Sequence, residues 1–228
     1  ILSVVTPQML EGGAYVEEYI GSLSSLFFGF YAVGQLINGL IGDRIKAKYM
    51  ISFGLVLAGV CNFLFANLSG NIMMEYAAYG LTGFFLSMIY GPMTKVVAEN
   101  TEPIYATRCS LGYTFASFFG SPLAGVLAAL FAWQSVFLSS SVVLLVMGFI
   151  CFTVFTAFEK KGLIEYNKYQ KKDQKGGGIQ VLIKHQIIKY TFISIITGVI
   201  RTTVVFWLPT YLSQYLGFTS ETAALIFT

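Results

Sequence analysis

Arg201 is the residue of this sequence best placed to do chemistry, because it interrupts an apolar run that extends over 188–212. At about 1.5 Å of rise per helical residue it lies more than about 10 Å from either end of that run, too deep for its stem to carry the guanidinium out to water. An arginine at such depth in hydrocarbon costs at least about 2.5 kcal/mol, so its presence calls for an anionic partner, either a ligand or an acidic side chain. The neighbouring runs put their acids at the ends, with Glu17, Glu18 and Glu75 on one side and Glu99 on the other. A guanidinium that faces a cavity without an acid suits a phosphate, whose oxygens accept two parallel hydrogen bonds from its planar fork. Pairing with an acid elsewhere in a longer protein is the other reading that these residue types allow.

A second constellation is Gly39-Leu40-Ile41-Gly42-Asp43-Arg44-Ile45-Lys46-Ala47-Lys48, between two apolar runs. A small residue lets helices approach closely, and an acid at a membrane boundary is tolerated when paired or set near a helix N-terminus. Arg44 with Glu99 is the expected pair, and the alternative is a set of basic anchors with an incidental acid. A third group, Ser117, Ser121, Pro122 and Gly125, places small residues at a helical interval together with a proline kink, suited to close helix packing. Gly91-Pro92 is expected to break its helix in the same way. Lys95 lies near enough to an end to snorkel, and His185 falls in a polar loop. Tyr31, Tyr90, Tyr113 and Trp207 are candidates to line a cavity or to face lipid.

The elements that must position these residues are membrane-crossing helices. The chain is 56% hydrophobic and only 11% charged, with a mean hydropathy of +0.71, far from the roughly 25% charged residues of soluble domains. Apolar runs near the roughly 20 residues that cross a hydrocarbon core are expected at 18–41, 49–68, 72–97, 106–131, 135–157 and 188–212, after a shortened run at 1–10. Arg44, Lys46, Lys48 and Arg108 collect on one side, as do seven lysines between Lys160 and Lys184. The opposite connections, 11–17, 69–71 and 132–134, contain no Lys or Arg. By the positive-inside rule the first side is cytoplasmic, so the net charge of +3 reflects topology and implies no nucleic-acid partner. Cys61, Cys109 and Cys151 sit in or beside apolar runs at no metal-ligand spacing, which argues for packing rather than disulfides or a metal. No phosphate-binding glycine loop or nucleophile constellation is visible, so neither an enzyme nor a cofactor is expected.

Three parts follow from this: a transmembrane bundle over 1–157, a cytoplasmic loop over 158–187 with Gly176-Gly177-Gly178 at its centre, and the start of a second bundle over 188–228. Pro7-Gln8-Met9-Leu10 is echoed by Pro209-Thr210-Tyr211-Leu212, each followed by a polar loop and an acid that opens the next helix. An echo between the first span of each half is the mark of a parallel repeat. Ile1 and Thr228 both lie inside apolar runs, so the chain is expected to be a fragment at both ends.

The 39–48 junction resembles the loop between spans two and three of the major facilitator superfamily, Gly-x-x-x-Asp-Arg/Lys-x-Gly-Arg/Lys-Arg/Lys. Gly39, Asp43, Arg44 and Lys48 fit it, while Lys46 and Ala47 depart from the general pattern towards the variant of its organophosphate antiporters. Ser117 to Gly125 resembles a degenerate form of that superfamily's antiporter motif, and Arg201 through Leu212 resembles span seven of the glycerol-3-phosphate and hexose-phosphate antiporters. The resemblance implies an all-α, polytopic protein of the major facilitator fold, with the N-terminal six-helix half and the start of the C-terminal half present. It implies a monomeric carrier in the inner membrane that exchanges a small organic phosphate for inorganic phosphate by alternating access. Arg201 would grip the phosphate with an arginine of span one that precedes Ile1, and Gly39, Asp43, Arg44, Lys48 and Glu99 would latch the cytoplasmic side. Gln35 stands where such antiporters can carry a lysine, so it and Tyr31 are assigned to substrate hydroxyls or phosphate oxygens. A symporter of another organic anion such as a sugar acid, or a sensor of phosphate esters on the same fold, would share these features.

Overall fold

A computed structural model of the chain describes residues 1–13, 15–42, 44–68, 70–166 and 187–226. Among the described residues eight helices follow in order: α1 (Leu2–Glu11), α2 (Glu17–Ile41), α3 (Ala47–Asn67), α4 (Ile72–Asn100), α5 (Pro103–Leu130), α6 (Trp133–Lys160), α7 (Ile187–Gln214) and α8 (Ser220–Ile226). No strand occurs among the described residues. Helices α2, α3, α4, α6 and α7 are long and apolar enough to cross a membrane, and α5 matches them in length with 28 residues. The protein is therefore an all-helical, multi-pass membrane protein. No helix edge departs from the apolar runs by more than three residues. The main excess is at the ends of α4 and α6, which carry Glu99 and Lys160 beyond the hydrocarbon for a further turn.

Local chemistry sets these boundaries. Asn71 opens α4 by accepting a hydrogen bond from the Met74 backbone N–H, which satisfies one of the free donors of a helix N-terminus. Pro103 begins α5, where its missing N–H costs nothing. Gly162 closes α6 at φ +68°, a left-handed conformation that suits glycine.

The bundle is drawn together by small residues rather than by apolar burial, since lipid supplies no hydrophobic force between helices. A methyl group built on Gly83 of α4 would lie 2.4 Å from the Phe27 carbonyl oxygen of α2. Helices α2 and α4 thus meet backbone to backbone. Where Phe65, Tyr79, Trp133 and Phe137 cluster, tilted and edge-on rings fill the space between α3, α4 and α6. The outward faces stay apolar and exposed, as at Leu36, Leu40 and Phe149, and form the surface that lipid must cover.

The two ends of the bundle differ in charge and in packing. Its basic end carries Arg44, Lys46, Lys48 and Arg108; the opposite end, neutral only in having no Lys or Arg in its connections, carries the α1–α2, α3–α4 and α5–α6 connections together with Glu11, Glu17, Glu18 and Glu75. Residues 189–205 of α7 are exposed on every face, and burial begins only at Phe206, Pro209, Thr210 and Leu212. From there α7 packs on α1 while α8 packs on α5, so these four helices converge at the neutral end.

Candidate functional site

Arg201 stands in the exposed part of α7, one turn before the helix meets α1. It lines a cavity of about 350 Å³ with Leu2 and Ser3 of α1, Ser24 and Phe28 of α2, and Tyr79 of α4. Among the described residues the guanidinium has neither hydrogen-bond nor ion-pair partner, so the acid that would make its role structural is not found there. Aromatic rings and serine hydroxyls surround one positive charge there.

Tyr31 and Gln35 continue the same stripe of α2 towards the basic end, since Ser24, Phe28, Tyr31 and Gln35 recur at helical spacing. Phe27 stacks on Tyr31 at 6.4 Å between ring centroids, and Gln35 Nε2 donates to the Tyr31 hydroxyl at 2.9 Å. Gln35 then opens on a separate cavity of about 170 Å³, shared with Asn38, Ser87 and Lys95. Buried Asn38 donates to Ser87 Oγ at 2.8 Å and ties α2 to α4 there. Arg201 and Gln35 thus line two separate cavities, with Tyr31 on the same stripe of α2 as Gln35.

At the basic end, Lys46 and Lys48 both bind Glu159 at the end of α6. The carboxylate's hydrogen bond and charge raise the pKa of Lys46 above its ordinary value. Lys48 is buried and Lys46 exposed, so the pair is unequal. Arg44 is exposed, Glu99 is buried at the end of α4, and Asp43 lies outside the described residues, as does His185. A methyl group on Gly39 would meet nothing within 4 Å, so this glycine admits no neighbour from the described chain. In α5, Pro122 is half-buried and Gly125 buried, and Ala124 and Ala128 share an apolar cluster with Ala224 of α8. The side chains of Ser117 and Ser121 lie outside those described.

The neutral end holds a cluster that sequence reasoning missed. Glu75 is 1% exposed and accepts hydrogen bonds from the hydroxyls of Tyr15 and Tyr19 and from the Gly70 N–H. Desolvation, followed by the charge of Glu75, pushes the Tyr15 hydroxyl up to about 12. Tyr15 lies just before α2 and Tyr19 in its first turn, and their rings stack at 5.3 Å between centroids, but nothing in sequence couples them to an acid more than fifty residues away. Glu159 gave no signal either, being more than a hundred residues from the lysines it holds.

Comparison with known proteins fits this architecture. The major facilitator superfamily pattern matches residues 1–228. The membrane sensor protein UhpC of Escherichia coli (strain K12) is 23% identical over 252 residues, which is 99% of this chain and 56% of that protein. The glycerol-3-phosphate transporter of Bacillus subtilis (strain 168) is 23% identical over 214 residues, 84% of this chain and 48% of that one. A shorter match, 37% identical over 51 residues, joins 22% of the chain to 10% of sugar phosphate exchanger 3 of Mus musculus. The chain spans about half the length of the first two relatives. With helices long enough to cross a bilayer, an arginine midway along one of them and a family pattern that runs the full sequence, the chain belongs to the major facilitator superfamily.

Proposed function

We propose that the chain is part of an alternating-access carrier that exchanges a small organic phosphate for inorganic phosphate, with Arg201 as its anion-binding residue. The observation that carries this reading is that, among the described residues, the guanidinium of Arg201 has no partner in a cavity walled by α1, α2, α4 and α7. A charge kept at that depth without an acid is stabilised when an anion arrives, and a site that stays cationic when empty resists reorientation. Obligatory exchange follows: the halves turn around an occupied site and return with another anion. Tyr31 and Gln35 offer hydroxyl and amide groups to the substrate body further along α2. Relatives named for glycerol-3-phosphate and hexose phosphate favour a phosphate ester over a carboxylate.

In this reading the basic end and the loop over 158–187 face the cytoplasm, and the protein sits in the inner membrane as a monomer. Gly39, Asp43, Arg44, Lys48 and Glu99 belong to the latch of the cytoplasmic side. A second reading, a sensor that binds phosphate esters, is favoured by the alignment of the sensor UhpC along 99% of the chain.

The test uses the full-length protein in proteoliposomes loaded with labelled phosphate. Release on adding phosphate esters outside, lost in Arg201→Lys, is the expected result. Release by sugar acids alone would replace the substrate class, and ester binding without release would establish the sensor.

A further inference from the structure

Ser3 of α1 makes a contact whose cause lies in a proline. Its hydroxyl lies 3.0 Å from the Val205 carbonyl oxygen and 2.9 Å from that of Phe206, both in α7. In a regular helix the carbonyl of Val205 would accept from the N–H four residues on. That residue is Pro209, which has no N–H, so the Val205 carbonyl is orphaned inside an apolar span. Such a group is costly in hydrocarbon unless a neighbouring helix supplies a donor. Ser3 supplies it, sharing its one hydroxyl proton between the Val205 and Phe206 carbonyls, and does so across the line where the first and second halves meet.

The arrangement follows from the internal echo. Pro7 and Pro209 are equivalent positions of the repeat, so Ser3 and Val205, each four residues earlier, are equivalent too. The two helices cross at matching sites of their proline kinks. Ser3 and Arg201 line the same cavity, and Val205 is one turn from Arg201.

We infer that Ser3 is the latch of the neutral end: its hydroxyl caps the α7 carbonyl that Pro209 orphans, and so holds the two halves closed over the Arg201 cavity. Ser3 is a positioning residue that acts through α7. When this end opens the carbonyl must turn to water, so the bond biases the equilibrium towards closure without blocking it. The inference rests on the alternating-access reading but not on the substrate being a phosphate ester.

The experiment measures that equilibrium without substrate, in the full-length protein freed of cysteines, with spin labels at Glu18→Cys and Tyr215→Cys, which are exposed positions at the neutral end of each half. Ser3→Ala is expected to raise the ratio of long to short label distances by about two- to tenfold, the worth of one hydrogen bond. Ser3→Thr keeps the donor and should restore the original ratio, whereas Ser3→Val, of the same shape, should behave as alanine does. In Pro209→Ala the new N–H takes the Val205 carbonyl, and the effect of Ser3→Ala should shrink. An unchanged ratio in Ser3→Ala, equal ratios for Thr and Val, or an undiminished effect beside Pro209→Ala would each overturn the latch. Loss of phosphate-ester exchange with these shifts intact would count against the substrate reading alone.

Discussion

Replacing Gly83 by alanine should loosen the α2–α4 contact on which one wall of the Arg201 cavity depends. The added methyl would lie 2.4 Å from the Phe27 carbonyl oxygen and 3.2 Å from its carbon, whereas ordinary contact begins at 3.4 Å. The obstacle is backbone, so relief requires the two helices to separate by about 1 Å; no rotamer change can supply it. Overpacking of this kind costs about 1–3 kcal/mol, against a gain of about 0.5–1 kcal/mol from replacing a mid-helix glycine. The net expectation is a loss of roughly 1–2 kcal/mol. Gly39 in the same α2 supplies the control, because a methyl there meets nothing within 4 Å and only the propensity gain remains. Unfolding of the purified full-length protein in mixed detergent micelles, titrated with SDS and followed by tryptophan fluorescence, measures both. Gly83→Ala should unfold at lower denaturant than the parent and Gly39→Ala at equal or higher. A Gly83→Ala protein as stable as the parent would refute the close approach of the two helices. One in which Gly39→Ala is the more damaging would show that α2 is held from its other face.

Further outcomes follow from the charged clusters. Lys48→Met should destabilise more than Lys46→Met in the same titration, because Lys48 is buried beside Glu159 while Lys46 reaches it from solvent. Glu75→Ala strips an acceptor from the Tyr15 and Tyr19 hydroxyls and the Gly70 N–H and should cost about 3 kcal/mol or more in that assay, with Glu75→Gln recovering part of it. The Tyr15 hydroxyl keeps its proton in the folded protein up to about pH 12 but loses it near 10 when unfolded. The unfolded state then binds fewer protons, so stability is intact below pH 10 and falls as pH rises from there towards 12. Tyr15→Phe should flatten that part of the profile. In equilibrium binding of labelled phosphate, Arg201→Lys should weaken affinity by at least about tenfold, since an ammonium cannot reproduce the two parallel bonds of the guanidinium.

Much of this protein is written locally. Helix positions could be read because each apolar run had to be about as long as a bilayer is thick, and the observed edges differ by no more than a turn. The sorting of Arg44, Lys46, Lys48 and Arg108 to one end, and the depth of Arg201 within its run, are one-dimensional facts that translation along a helix axis preserves. Which groups answer those charges depended on the packing. Glu159 reaches Lys46 and Lys48 only because α3 and α6 lie side by side, and Glu75 meets Tyr15 and Tyr19 only because α2 lies on α4. Glycine is ambiguous for the same reason: Gly39 and Gly83 look alike in sequence, yet one faces empty space and the other touches backbone. The sequence by itself determined how many times the chain can cross and which residues sit at what depth, because those follow from length and hydropathy. Only the tertiary structure decided that α1 and α7 meet at their proline kinks, because a hydrogen bond between residues 202 positions apart has no trace in local composition.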